Sequence, residues 1–216
     1  MPITIASTQQ PVLKEQSPLA SIDLLLSMGA TYQSYKKGEI IFKEGAYCRY
    51  YHQLVSGTVV WHNVDDLGKE IIQAIIVPGE SFGELPLFDD KPYAAGAVAM
   101  QQSLVLRLPK ELFLELLKED YDMHMALNRK MAERLRFKFM LLQAVSQATP
   151  EGSICMLLNY LKQEQKHICT GCGLINLTRQ QIADLLGLRV ETVIRVTRRL
   201  HEEGRLLIEN RKLFYV

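Results

Sequence analysis

Four residues near the C-terminus share one face of a predicted helix. Glu191, Ile194, Arg195 and Arg198 lie at positions i, i+3, i+4 and i+7, a spacing that aligns side chains along one side of an α-helix. The opposite side is apolar and consists of Val193, Val196 and Leu200. An arginine can donate two hydrogen bonds to guanine, and a glutamate can accept one from cytosine. The charged face therefore has the chemistry to contact bases in the major groove of DNA.

The residues around this helix predict a helix-turn-helix. Thr178 and Gln181 form a Thr-x-x-Gln capping box, which starts a first helix at Arg179. Gly187 supplies the turn, because glycine adopts positive φ without strain. A second helix is predicted from about residue 190 to 203. The alternative is a small helical domain whose charged face is merely solvated.

This segment resembles the DNA-binding motif of the CRP/FNR family, which includes the cyclic AMP receptor protein, and the resemblance extends from about residue 35 to 216. It implies that Glu191 and Arg195 contact bases. It assigns phosphate contacts to Thr178, Arg179, Gln180 and Thr192. Val190 matches the FNR-like branch. Two residues depart from the pattern: Arg189 replaces the usual Ser or Thr at the N-cap, and Ile194 replaces a small residue, which leaves the flanking-base preference open.

Composition is compatible with a two-domain protein in the cytoplasm. The chain has 216 residues, of which 48% are hydrophobic, and a net charge of +1. Residues 178–216 contain eight Lys or Arg and five Asp or Glu, a modest basic bias. No apolar run approaches the roughly 18 residues of a membrane helix, and the N-terminus lacks a signal-peptide pattern. Four cysteines in such a chain do not suggest a disulfide framework.

The N-terminal half is predicted to be an antiparallel β-roll in an α+β protein. Residues 1–18 contain three prolines and are interpreted as a loose arm, followed by a short helix around Ser21–Met28. Short segments punctuated by glycine then predict strands. These are Glu39–Phe42, Tyr50–Val55, Thr58–His62, Glu70–Ile76, Ala94–Met100 and Leu104–Leu108. The glycine pattern resembles the effector-binding roll of the family.

A long helix is predicted to follow the roll. Pro109 begins a helix, and a second one spans about residues 121–147. Its apolar stripe consists of Leu127, Met131, Leu135, Phe139, Leu142 and Val145. The stripe can pack on the parent roll or on a second copy of the helix, and the resemblance implies that this helix is the dimer axis. Thr149-Pro150-Glu151 is typical of a helix start. The predicted domains are therefore 1–148, for sensing and dimerisation, and 149–216, a winged helix-turn-helix.

The resemblance places an effector pocket in the roll, but most of the contacts for cyclic AMP are missing. Glu84, followed by Leu85, matches the family's ribose-binding glutamate. The positions of its phosphate-binding Arg-Ser pair fall on Tyr93, Ala94 and Ala95, and the base-contacting positions fall on Lys138 and Phe139. We therefore predict that cyclic AMP is not bound and that no cofactor is needed. Tyr93 and Phe139 are candidates to fill the pocket, and Arg107 or Lys91 could supply positive charge.

A second type of site is suggested by Cys169-Thr-Gly-Cys172, which His167 precedes. The Cys-x-x-Cys spacing occurs in metal sites and redox-active pairs, and Cys155 could add a ligand. Two unpaired cysteines in a turn are the alternative. The N-terminal cysteine cluster of iron–sulfur sensors in the family is absent, and Cys48 stands alone. Possible haem or metal ligands are His52, His62 and His124, although their spacing favours core or solvated histidines.

These features together favour a homodimeric transcription regulator. It is expected to bind double-stranded DNA at a pseudo-palindromic operator and to contact RNA polymerase. Three alternatives remain at this stage: a redox- or metal-responsive regulator that uses Cys169 and Cys172, a regulatory module that does not bind DNA, and an enzyme of the cupin type. The last would need inward-facing His and Glu clusters that the spacing does not supply, so the chain is predicted not to be an enzyme.

Overall fold

The computed structural model describes residues 18–66, 68 and 70–215. It divides the chain into an N-terminal unit, residues 15–139, and a C-terminal unit that begins at Met140. The chain passes from one unit to the other within the long helix, whereas the sequence predicts a domain boundary at residues 148–149. The expected arm at residues 1–17 lies outside the described residues. Within the described residues, no helix combines the length and apolarity needed to cross a membrane.

The N-terminal unit is built on two antiparallel sheets of four strands each. The first sheet has the order β1-β8-β3-β6, and the second has the order β2-β7-β4-β5. The strands are β1 (Thr31–Tyr35), β2 (Ile40–Phe42), β3 (Tyr50–Ser56), β4 (Val59–Val64), β5 (Glu70–Ile76), β6 (Ser81–Phe82), β7 (Gly96–Ala99) and β8 (Ser103–Pro109). The predicted antiparallel roll is confirmed. Strands β1 and β6 were not predicted, because β1 is polar on both faces and β6 has only two residues.

Four helices accompany the roll. They are α1 (Ile22–Ser27), α2 (Leu85–Asp89), α3 (Lys110–Glu119) and α4 (Tyr121–Val145). Helix α2 was missed, because its Gly-Glu-Leu-Pro sequence is more typical of a turn. Helices α1, α3 and α4 contribute to a core in which the Tyr51 ring stacks on Phe113, with a centroid distance of 4.0 Å. A second core contains Phe42, Leu54 and Phe82 and lies inside the roll.

The C-terminal unit contains three helices and a three-stranded sheet. The elements are α5 (Pro150–Gln163), β9 (Leu174–Ile175), α6 (Arg179–Leu186), α7 (Val190–Glu202), β10 (Leu206–Glu209) and β11 (Lys212–Tyr215), with strand order β10-β11-β9. Thr149 caps α5 as predicted, because its hydroxyl accepts a hydrogen bond from the Gly152 amide at 3.1 Å. Asn210 and Arg211 join β10 to β11 with φ of 48° and 63°, the positive pair of a type I′ hairpin. This hairpin is the wing.

Candidate functional site

The helix-turn-helix forms as its local sequence predicts. The Thr178 hydroxyl accepts a hydrogen bond from the Gln181 amide at 3.1 Å, and the Gln181 side chain accepts one from the Thr178 amide at 2.8 Å. These two bonds satisfy backbone donors at the start of α6. Gly187 ends the helix at φ 66°, a conformation that costs an L-residue about 1–2 kcal/mol. Arg189 is the N-cap of α7 and makes no side-chain capping bond.

Helix α7 has one buried face and one exposed face. Val193, Val196 and Leu200 are buried, together with Thr197, whose hydroxyl donates to the Val193 carbonyl at 2.8 Å. The exposed residues include Glu191, Arg195 and Arg198, as well as Arg189 at the N-cap, whereas Val190, Thr192 and Ile194 are partly exposed. Because the apolar face is used by the core, the charged face remains available to a partner.

The residues at the start of α6 have partners within the protein. Arg179 Nη1 donates to the carbonyl of Arg211 in the wing at 2.7 Å. Partial burial and the nearby Arg198 guanidinium lower the pKa of Arg179. Gln180 Nε2 donates to Asp184 Oδ1 at 2.8 Å. Arg179 therefore joins α6 to the wing. The sequence predicts a phosphate contact for Arg179 but not this structural role.

Two other arginines of this unit are used for internal ion pairs. Arg199 Nη2 and Arg205 Nη1 both bind the Glu151 carboxylate, the second at 2.6 Å. Arg205 also donates to Glu203 at 3.2 Å and to Cys155 Sγ at 3.2 Å. The hydrogen bond from Arg205, together with the charges of both arginines, lowers the pKa of Glu151. The basic bias of this segment is therefore partly structural, which composition alone does not reveal.

A cavity of about 310 Å³ lies in the roll. Its lining residues are Phe42, Trp61, Asn63, Gln73, Gly83, Leu85, Pro86, Tyr93, Ala94, Ala95 and Lys138. The Tyr93 ring stacks on Phe42 at 3.8 Å, and a Cβ at Gly83 would approach both rings to within about 3 Å. Five of the seven predicted pocket residues line this cavity. Phe139 does not, since it is 59% exposed on α4.

Glu84, the remaining predicted pocket residue, is buried in an ion pair. Its side chain is 1% exposed, and Oε2 accepts a hydrogen bond from Arg134 Nη1 of α4. Arg134 Nη2 donates to the Ser81 carbonyl, and the guanidinium lies 5.0 Å from the Trp61 ring centroid. Burial alone would lower the pKa of Arg134, but the Glu84 carboxylate outweighs it, so the pKa is raised. The carboxylate expected to hold a ribose is already bound to an internal cation.

The positive charge near the cavity comes from α4, and the proposed sources Arg107 and Lys91 were wrong. Arg107 Nη2 donates to Gln33 at 3.1 Å and lies over the Tyr50 ring, and neither Arg107 nor Lys91 lines the cavity. Lys138 lines it and donates from Nζ to the Gln73 carbonyl at 2.8 Å and to Gln73 Oε1 at 2.5 Å. Burial and the Arg134 charge lower the pKa of Lys138 to about 8. Lys138 was among the predicted pocket residues, whereas Arg134 was not. Its position four residues before Lys138, on the same face of α4, is the sequence signal that could have revealed it.

The three histidines considered as metal ligands lie in different surroundings. His52 is buried between Phe42 and Phe82, and burial, with a contribution from Arg107, lowers its pKa to about 3. His62 Nδ1 lies 3.8 Å from Glu70, and His124 is exposed on α4. Among the described residues, no three His, Cys, Asp or Glu side chains are grouped closely enough to hold a metal ion.

The cysteines of the Cys-x-x-Cys turn differ in exposure. Cys169 is buried and Cys172 is exposed, and they are not joined in a disulfide. Burial and a hydrogen bond between the two side chains raise the pKa of Cys172. Cys155, which the sequence offers as a possible further ligand, instead contacts Arg205, and the described residues do not group it with Cys169 and Cys172. A metal or redox role for Cys169 and Cys172 stays a hypothesis.

The apolar stripe of α4 is divided between two environments. Leu127 is 1% exposed in the core of the N-terminal unit, and Met131 packs against the same core. They therefore do not face a partner. The other four stripe residues are more than half exposed: Leu135, Phe139, Leu142 and Val145. Burial of this second group would require another protein surface.

Comparison with known proteins identifies the family. Residues 32–120 match the model of the cyclic nucleotide-binding domain, and residues 153–215 match that of the Crp-like helix-turn-helix domain. The cyclic AMP receptor protein of Thermus thermophilus is 31% identical over 185 residues, which cover 85% of this chain and 82% of that protein. The transcriptional activator protein anr of Pseudomonas aeruginosa is 26% identical, covering 89% and 78%.

Solved structures agree with this assignment. FixK2 from Bradyrhizobium japonicum is 25% identical, with a TM-score of 0.72, covering 86% of this chain and 92% of that one. A CooA mutant from Carboxydothermus hydrogenoformans shares the fold, with a TM-score of 0.75 at 18% identity, covering 95% and 94%. The chain belongs to the CRP/FNR family of DNA-binding transcription regulators.

Proposed function

We propose that this regulator recognises a specific operator through Glu191 and Arg195 of α7. The observation that supports this most directly is the two-sided character of α7, whose apolar face is buried while these two residues are exposed on the other. Arg195 donates to the O6 and N7 atoms of guanine, and Glu191 accepts from the paired cytosine. Each half-site then contains a G·C pair, flanked by A·T.

Phosphate contacts position α7 in the groove. Arg189 and Arg198 are exposed at the two ends of the charged face, and Thr192 lies between them. Thr178 and Gln180 are exposed at the N-terminus of α6, where backbone amides and the helix dipole favour a phosphate. Such contacts strengthen binding without selecting a sequence.

The active species is a homodimer joined along α4. Leu135, Phe139, Leu142 and Val145 form the apolar surface that a second copy covers, in the manner of a coiled coil. Two recognition helices then enter successive major grooves, so the operator is a pseudo-palindrome. The protein acts in the cytoplasm, where it contacts RNA polymerase when bound at a promoter.

Cyclic AMP is not the effector. Glu84 is already paired with Arg134, so it is not available to hold a ribose. Ala94 and Ala95 stand where the resemblance places the phosphate-binding Arg-Ser pair and offer no donor, which leaves Lys138 as the cation that lines the cavity. Calorimetric titration with cyclic AMP and cyclic GMP tests this point. Binding at micromolar concentrations contradicts it.

The test of operator recognition begins with selection of bound sequences from random duplexes by the full-length protein. Arg195→Ala is then compared with the wild type on the selected operator and on variants of its G·C pair. We expect a loss of about 1–3 kcal/mol on the operator and a weaker preference at that base pair. Arg49→Ala, an exposed arginine of the roll, is the matched control and leaves DNA affinity unchanged.

Two results would contradict the proposal. If Arg195→Ala weakens binding equally on the operator and on unrelated DNA, Arg195 contacts only phosphates. If the wild-type protein selects no common sequence from the random pool, the regulator does not recognise an operator by itself.

A further inference from the structure

The cavity of the roll has an aromatic wall. Phe42 and Tyr93 stack on each other at 3.8 Å, and Trp61 lines the same space. The volume of about 310 Å³ is at the lower end of the range typical of small-molecule sites. A compact planar molecule suits these dimensions better than a nucleotide with three separate polar parts.

Lys138 gives the cavity a positive charge for which the described residues supply no counter-ion. Both hydrogen bonds of its ammonium group go to Gln73, at 2.8 Å and 2.5 Å, and both acceptors are neutral amide oxygens. Within the described residues Lys138 makes no ion pair, and the buried carboxylate of Glu84 is paired with Arg134 instead. A partly buried cation without an anion is unfavourable. The site is therefore complementary to a ligand that carries one negative charge.

We propose that this cavity binds a small aromatic monocarboxylate, whose ring packs against Phe42, Trp61 and Tyr93 and whose carboxylate accepts a hydrogen bond from Lys138. A monoanion matches the Lys138 ammonium group, which has no ion-pair partner among the described residues. The side chains of Ala94 and Ala95 provide no second cation, which a doubly charged phosphate monoester would need. The aromatic rings supply contact area and stacking geometry that favour a flat ligand over a branched aliphatic one.

The ligand would act on α4. Lys138 now joins α4 to β5 through Gln73, and a carboxylate competes with Gln73 for the same ammonium protons. The adjacent residue Phe139 belongs to the exposed surface of α4 that we assign to the dimer. Ligand binding itself involves only residues of the N-terminal unit. Its effect on DNA affinity rests on the proposed function.

The experiment uses the full-length protein and matched pairs of ligands. Benzoate, cinnamate and 2-naphthoate are each compared with the corresponding neutral amide, and cyclic AMP is included. Binding is measured by calorimetry and by the fluorescence of Trp61, the chain's single tryptophan, which lines the cavity. We expect at least one carboxylate to bind and to change Trp61 emission. Its amide should bind about tenfold more weakly, because the amide oxygen accepts a hydrogen bond from Lys138 without the negative charge of the carboxylate.

Variants locate the charge and the cavity. Lys138→Met is expected to remove the preference for carboxylate over amide, whereas the exposed control Lys118→Met keeps it. Ala95→Phe fills the cavity and is expected to abolish binding of both members of a pair. Circular dichroism verifies that each variant is folded. If a variant does not fold, the comparison of acid and amide on the wild-type protein still decides the question of charge.

Three outcomes overturn the proposal: no carboxylate binds at millimolar concentration, acid and amide bind equally, or cyclic AMP binds more tightly than every carboxylate. Carboxylate binding without any change in operator affinity supports the ligand class and refutes only the link to α4. Failure of the protein to bind DNA at all refutes the proposed function and leaves the ligand assignment intact.

Discussion

The buried ion pair between Glu84 and Arg134 is expected to hold α4 against the roll. Arg134→Met removes the one cation that the described part of the chain bonds to the Glu84 carboxylate, whose side chain is 1% exposed. An uncompensated buried charge costs about 3–5 kcal/mol, a large share of the 5–15 kcal/mol that stabilises a typical domain. For a unit of this size, the loss corresponds to a decrease in melting temperature of about 10–20 °C.

Trp61 provides the assay, since its ring lies 5.0 Å from the Arg134 guanidinium and within the N-terminal unit. Urea unfolding followed by its emission therefore reports on this unit alone. Arg136→Met, an exposed arginine of the same helix, is the matched control and should change the free energy of unfolding by less than about 0.5 kcal/mol.

A double-mutant cycle separates the pair from its surroundings. Glu84→Met with Arg134→Met removes both charges, and apolar replacement of a buried pair is often nearly neutral. We expect the double variant to recover most of the stability lost by Arg134→Met, with a coupling of about 2 kcal/mol or more. A loss below about 1 kcal/mol for Arg134→Met, or simple additivity, would refute a role for this pair in holding α4.

Three further predictions concern other parts of the chain. Leu142→Glu places a charge on the exposed face of α4 and should shift the dimer towards monomer in sedimentation experiments, whereas a monomeric wild type would contradict the proposed interface. Gly187→Ala meets no neighbouring atom within 4 Å, so its cost is only that of φ 66°, about 1–2 kcal/mol in chemical unfolding. Burial lowers the pKa of His52 from 6.5 to about 3. Between these two values the unfolded chain binds a proton at His52 and the folded protein does not, so stability is full above pH 6.5 and is lost as the pH falls towards 3. The loss amounts to about 1.4 kcal/mol per pH unit. His52→Phe should flatten this dependence in urea titrations between pH 6 and 4, and an unchanged slope would contradict the assignment.

The helix-turn-helix was predictable from sequence because its determinants are local. The capping box, the glycine turn and the apolar spacing of α7 each involve residues within about four positions of one another. The antiparallel roll was predictable as a class from the repeated strand and glycine pattern. Its two-residue strand β6 and the short helix α2 were not, because elements of this length carry too little periodicity.

The pocket shows the limit of sequence reasoning. The resemblance predicts from Tyr93, Ala94 and Ala95 that the phosphate-binding pair is absent. The pairing of Glu84 with Arg134 was not predictable, because 50 residues separate them and only folding brings α4 to the roll. The ion pairs of Glu151 with Arg199 and Arg205 were not visible in the sequence either. Composition alone would count both arginines as available to DNA.

The sequence by itself determined which residues are able to contact DNA, since side-chain direction on a helix follows from its period of 3.6 residues. Only the tertiary structure decided which charges are free to do so. Arg195 and Arg198 remain exposed, whereas Arg179, Arg199 and Arg205 bond to other parts of the C-terminal unit. The physical reason is that distance and burial determine which partner a charged side chain binds, and both depend on contacts between residues far apart in the chain.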